Sequence, residues 1–156
     1  MKLATLCFLI KGNSILLAMK KRGLGANLWN GVGGKVLENE TIEQATIREA
    51  QEEIGVTPKL LQKLAVLNFF HLHKPEWNQQ VTAFKAESWE GNPTESEEMA
   101  PQWFDIEKIP YSQMWRDDIL WLPRFINNEK LTADFTFDEK GNITDYKINN
   151  VNRWRS

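Results

Sequence analysis

Three glutamates on one predicted helix constrain this chain more than any other feature. Thr41 through Ile54 reads as a helix: Thr41 stands at a capping position, with Gln44 three residues on as its capping-box partner. Ile42, Ala45, Ala50 and Ile54 supply an apolar stripe. Gly55 ends the helix and Pro58 prevents its resumption. Glu49, Glu52 and Glu53 then lie within reach of one another on one face, because gaps of three and four bring helical side chains together. Two readings fit that spacing. The face is solvated and tolerates the repulsion, or a divalent cation draws the carboxylates into a ligand set. Oxygen-only donors suit Mg2+ or Mn2+, not zinc.

The segment before the helix is a loop, since five of the twelve residues from Gly23 to Gly34 are glycine. Gly33-Gly34 lets backbone groups come close to a ligand or a metal. The spacing is neither GxGxxG nor a Walker loop ending in Gly-Lys-Ser/Thr, so neither a dinucleotide fold nor a P-loop is supported. Arg48 has three open choices: an ion pair with Glu52, a reach back to Glu40, or a phosphate.

Composition narrows the partners. Of 156 residues, 19 are Lys or Arg and 21 are Asp or Glu, giving a net charge of -2. Without a basic field, long nucleic acid and anionic membrane are poor partners, and a small anion is the better candidate. No apolar run reaches the ~18 residues that span a bilayer. The single cysteine, Cys7, excludes an internal disulfide, is expected in the core, and suits a reducing compartment, so the cytoplasm is expected. Met1–Ile10 has some signal-segment character, but Lys11-Gly12-Asn13-Ser14 reads better as a turn after a first strand.

The rest of the chain reads as mixed α/β in one domain, residues 1–156. Strands are expected over Leu3–Ile10, Ser14–Met19, Lys63–Phe70, Gln79–Ala86, Gln102–Phe104, Phe135–Phe137 and Ile143–Ile148. Lys74–Asn78 is a turn, Glu90–Glu98 an acidic loop, and Asp117–Ile126 a second helix that starts near an aspartate cap and is disturbed by Pro123. His71 and His73 read as a strand end or a pocket rim, since two histidines alone make a poor zinc site. Trp77, Trp89, Trp103, Trp121 and Trp154 are assigned to packing.

Gly34, five residues, Glu40, seven residues, then Arg48-Glu49-Ala50-Gln51-Glu52-Glu53-Ile54-Gly55-Val56 resembles the Nudix box, with Ala50 where that family carries a larger aliphatic residue. Further stretches are similar to the branch of the family that acts on oxidised purine nucleoside triphosphates. They are Lys20-Lys21-Arg22-Gly23, Trp29-Asn30-Gly31, Glu98-Met99, Trp103-Phe104, Met114-Trp115 and Asp117-Asp118. The resemblance implies an α/β/α Nudix sandwich with a mixed sheet. It implies hydrolysis of 8-oxo-dGTP, and of 2-hydroxy-dATP, to the monophosphate and pyrophosphate, by a monomer using Mg2+ or Mn2+.

Site residues follow from the same resemblance. Metal ligands are Gly34 (through its carbonyl), Glu49, Glu52, Glu53 and Glu98. Glu53 is favoured as the base, with Glu52 as alternative. Glu40 and Arg48 brace the loop against the helix. Asn30, Asp117 and Asp118 read the purine edge and Trp115 stacks on it. Thr5, Leu24, Phe69 and Met99 wall the pocket, Leu24 and His71 each replacing a phenylalanine. On sequence alone, Asp117-Asp118 reads as a helix cap with a first-turn acid. Two other functions stay open: a Nudix hydrolase of ordinary or O6-methylated dNTPs or dinucleoside polyphosphates, and a silent nucleotide-binding module.

Overall fold

A computed structural model describes residues 1–154. In chain order the elements are β1 (Lys2–Lys11), β2 (Ser14–Lys20), β3 (Trp29–Asn30), α1 (Ile42–Ile54), β4 (Thr57–Lys59) and β5 (Gln62–His71). There follow β6 (Gln79–Ala86), β7 (Ser88–Glu90), β8 (Met99–Asp105), α2 (Asp118–Ile126), β9 (Leu131–Phe137) and β10 (Ile143–Asn150). The main sheet runs β10-β9-β5-β6-β1. It is mixed: β1 lies parallel to β6 and β5 parallel to β9, while β5–β6 and β9–β10 are antiparallel. At its far end β1 turns into β2, which carries β3 and β8 on its two edges.

The two-residue period of β1 sorts the core into two layers. Cys7 and Leu9 point to the side where Ala50 and Ile54 of α1 pack. Ala4, Phe8 and Ile10 point to the other, with Trp121, Leu122 and Phe125 of α2. The result is the expected α/β/α layering. Lys85 follows its period to the α2 side, where its Nζ donates to Asn128 Oδ1 at 2.7 Å just past the C-terminus of α2.

Several boundaries differ from the sequence reading. Strands β8 and β9 are longer than the Gln102–Phe104 and Phe135–Phe137 cores, because pairing with β2 extends β8 back to Met99 and pairing with β5 extends β9 back to Leu131. The β4–β7 ribbon was not anticipated: each strand has three residues, and Pro58 reads only as a helix stop. Asp117 precedes α2 in a helical conformation (φ −74, ψ −23) and its side chain makes no capping bond, so the cap reading fails. Pro123 sits inside α2 without ending it.

The cap of α1 is as expected. Thr41 Oγ1 accepts from the Gln44 amide at 3.0 Å, and Gln44 Oε1 accepts from the Thr41 amide at 2.9 Å. Thr41→Ala removes one half of this pair and should lower stability by about 1 kcal/mol. The check is a shifted urea midpoint with an unchanged slope.

Candidate active site

The loop from Gly31 to Val36 runs antiparallel beside the first half of β1 with almost no clearance. The Gly34 carbonyl accepts from the Thr5 amide at 2.9 Å, and the Cys7 and Val32 backbones exchange bonds. A Cβ on Gly33 would stand 1.8 Å from the Thr5 carbonyl oxygen, and one on Gly34 would stand 2.7 Å from the Glu49 carboxyl carbon. Only glycine permits the loop to lie between β1 and the acidic face of α1.

That approach forms a cavity of about 320 Å³ lined by Lys20, Gly33, Gly34, Glu49, Glu52, Glu53, Glu98 and Met99. The three helical glutamates differ in exposure: Glu53 is buried, Glu49 half-buried and Glu52 exposed. Burial, then the neighbouring Glu49 carboxylate, push Glu53 up to about 9, against a backbone bond from Gly33 and the charge of Lys20. Glu53 Oε2 is buried without a hydrogen-bond partner.

Arg48 is held by Glu40, with Nε to Oε2 at 2.7 Å and Nη2 to Oε1 at 3.1 Å, and Nη2 also reaches the Lys35 carbonyl at 2.9 Å. Glu40 Oε1 accepts from the Leu37 amide at 2.9 Å as well, so this pair ties the loop to the helix. The other guanidinium nitrogen contacts Glu49 at 2.7 Å and Glu52 at 3.3 Å. Arg48 therefore takes both carboxylate choices the sequence left open. With Arg48 on Glu49 and Glu52, no three acidic, histidine or cysteine side chains among the described residues converge on one point as a cation cage. The donor set nevertheless fits a hard cation: oxygen ligands, one of them buried and orphaned, facing a wall without side chains. Glu98 enters from the loop after β7 and is held by Arg22 Nε at 3.0 Å, which keeps its carboxyl below the usual range.

The residues expected to meet a base lie on the opposite side of β1. Asp117 and Asp118 are both buried, and Asp117 Oδ2 accepts from the Trp121 indole at 2.8 Å. Burial raises both carboxyls; the Asp117 charge adds to the rise at Asp118, while the indole bond opposes it at Asp117. Asp118 Oδ2 has no partner. Trp121 packs edge-on to Phe8, whose ring would lie 2.8 Å from a Cβ on Gly31, so the Asn30-Gly31 turn closes on the same cluster. Trp29 donates to Gln113 at 3.3 Å, tying β3 to the turn before Trp115, and Trp115 stands against Gly25. Phe69 is buried and stacks on Phe135. His71 stacks on Phe137 at 5.1 Å, at the strand end.

Three further expected walls have these surroundings. Leu24 is 75% exposed in its loop. Met99 lines the acidic cavity. Thr5 is buried with its Oγ1 unpartnered. Sequence reasoning gave no role to Lys20, which lines the acidic cavity, to Trp121, which reads as core by volume, or to Tyr111, whose phenol is raised by burial and by Asp118.

Because the folded-state pKa of Glu53 lies above its unfolded value, the folded protein holds a proton that the unfolded chain releases. Its stabilising contribution is full below about 4.5 and is lost as pH rises through about 9. In the presence of a chelator, Glu53→Gln should therefore melt higher than the unsubstituted protein at pH 8, with the difference shrinking toward pH 5. Parallel melting curves across that range would refute the assignment.

Comparison with known proteins gives four findings. The NUDIX domain model matches residues 1–125. The chain is 47% identical over 150 residues to a zebrafish protein (Danio rerio) named oxidized purine nucleoside triphosphate hydrolase, covering 96% of each. It is 41% identical over 150 residues, again covering 96% of each, to the mouse protein (Mus musculus) of the same name. A MutT protein from Bacillus halodurans superposes with a TM-score of 0.81 at 23% identity, covering 95% of this chain and 97% of that one, which speaks to the fold.

Proposed function

The chain belongs to the NUDIX family of hydrolases, and on that premise we propose that it cleaves oxidised purine nucleoside triphosphates, 8-oxo-dGTP and 2-hydroxy-dATP, to the monophosphate and pyrophosphate. The observation that carries this reading is the pairing of two sites across β1: an acidic cavity in which Glu53 Oε2 is buried and unpartnered, and a buried Asp117–Asp118 pair in which Asp118 Oδ2 is unpartnered. Near-full-length relatives named for that reaction support the same substrate class. In this reading residues 1–156 act as one domain and as a monomer in the cytoplasm. No helix among the described residues is long and apolar enough to cross a membrane.

Family members generally use divalent metal ions, and here Mg2+ is the proposed ion, with Mn2+ able to replace it. Glu49, Glu52, Glu53, Glu98 and the Gly34 carbonyl would hold it. When bound, it supplies charge neutralisation on the phosphates and a more acidic attacking water. With that positive charge beside it, Glu53 would be a carboxylate and would take the water's proton, with Glu52 as the alternative base. Lys20 offsets phosphate charge from across the cavity. Asp118 holds a proton and donates to the base edge, while Asp117, fixed by the Trp121 indole, stays an acceptor. Asn30 adds an amide, Trp115 stacks, and Thr5, Leu24, Phe69 and Met99 complete the walls.

The decisive measurement is kcat/KM for 8-oxo-dGTP against dGTP with Mg2+ at neutral pH, products separated. A preference of at least about tenfold is expected, ~1.4 kcal/mol of differential transition-state binding, with 8-oxo-dGMP and pyrophosphate released. Comparable rates on the two would sink the substrate assignment while leaving the hydrolase. In the same assay Asp117→Asn should change the ratio between 8-oxo-dGTP and 2-hydroxy-dATP. An unchanged ratio counts against base reading by the acid pair.

A further inference from the structure

Glu98 is the one carboxylate of the acidic cavity that α1 does not carry, so something must fix its distance from the helix. It stands at the end of the segment 91–98, and that segment is fastened to the last turn of α1 near its start. The Thr94 amide donates to the Ile54 carbonyl at 2.9 Å. The β4–β7 ribbon holds Thr57 opposite Glu90 and Pro58 opposite Trp89, and Gln51 of α1 donates to Thr57 Oγ1 at 3.0 Å. Between these bonds Gly91, at φ +90, lies so near the helix end that a Cβ would stand 2.7 Å from the Gly55 carbonyl oxygen and 3.6 Å from Val56 Cα. The other end of the segment is closed by the Lys21 amide on the Glu98 carbonyl at 2.9 Å.

We propose that Gly91 is a positioning residue: its bare α-carbon seats the segment 91–98 on the end of α1 and thereby sets Glu98 in register with Glu52 and Glu53. The inference rests on the reading of these carboxylates as divalent-cation ligands. It says that the cation site is built from two chain segments whose spacing is fixed at the Gly55–Gly91 contact, remote from the ligands themselves. A side chain at 91 pushes the segment off the helix end, and Glu98 moves with it.

The test is direct Mn2+ binding to the nucleotide-free protein, read by the electron paramagnetic resonance of free Mn2+, with melting curves alongside. Gly91→Ala introduces the clash and backbone strain together. Gly91→Asn introduces the clash with a residue more tolerant of positive φ. Gly141→Ala imposes comparable strain at φ +79 on an exposed turn with nothing within 4 Å, and serves as the control. Both Gly91 substitutions should weaken Mn2+ binding about tenfold, as loss of a residue supporting a metal ligand does. Gly141→Ala should leave it unchanged.

On a Glu98→Gln background the Gly91 substitutions should have little further effect, because residues acting through one group are not additive. Unchanged Mn2+ binding in folded Gly91 variants overturns the proposal, and so does an equal loss on both backgrounds. Failure of both variants to fold would assign the contact to stability and overturn it as well. An unsubstituted protein that binds no Mn2+ would refute the cation site itself, and this inference with it.

Discussion

The close approach of Gly33-Gly34 to the edge of β1 is the constraint from which the acidic cavity follows. With no Cβ on either glycine, the loop fills the space that side chains would otherwise need, and the carboxylate of Glu49 comes up against Gly34. Water is excluded from behind Glu53, leaving its Oε2 without a partner. A buried carboxylate beside another carboxylate is costly as an anion. The protein meets that cost with a proton held up to about 9, or with a cation where one binds. The same desolvation that raises Glu53 strengthens every electrostatic interaction in the cavity.

The Asp117–Asp118 pair faces the same difficulty on the other side of the sheet and meets it differently. Among the described residues no Lys or Arg is a hydrogen-bonding partner of the pair; the neutral Trp121 indole is the donor to Asp117. Burial then favours one proton shared by the pair, and the charge and hydrogen bond of Asp117 raise Asp118 further. The glutamates have Arg48 and Lys20 close by, so their negative charge is partly balanced before anything binds. One side of β1 thus carries two acids that share a proton, the other carboxylates partly balanced by cationic side chains. The alternation of β1 keeps Cys7 and Leu9 with the first helix and Phe8 with the second, which separates the two acid clusters by a strand.

Much of this was legible in the sequence where local chemistry decides. The α1 cap, its stripe and its glycine stop are set by neighbours within a few positions, and so is the alignment of Glu49, Glu52 and Glu53. What could not be read depends on contacts between distant residues. Trp121 reads as core by its volume, and its bond to Asp117 exists because α2 turns both inward. Asp117 looks like a cap at its position in sequence, yet burial claims its carboxylate first. The β4–β7 ribbon is too short to carry a period, and Lys20 has no local signal separating it from Lys21, whose side chain pairs with Glu95 instead. The order of exposure Glu53, Glu49, Glu52 depends on where the glycine loop lands, which spacing along the helix does not encode.

Arg48 explains how three adjacent glutamates persist on one helix without weakening it. Its Nε and Nη2 are fixed by Glu40 and the Lys35 carbonyl, partly buried and with good geometry. Its Nη1 is left to Glu49 and, at 3.3 Å, to the exposed Glu52. The two halves of the guanidinium therefore have different strengths. Exposed pairs such as Arg48–Glu52 contribute about 0–1 kcal/mol, so Glu52 can leave Arg48 for a cation at little cost. The brace to Glu40 does not depend on that contact and stays in place when it breaks. Helix α1 and the glycine loop thus keep their relation whether the acidic face is balanced by the guanidinium or by an ion. A site that must admit and release a charged ligand needs that independence, because repulsion among its own carboxylates would otherwise act on the helix that carries them.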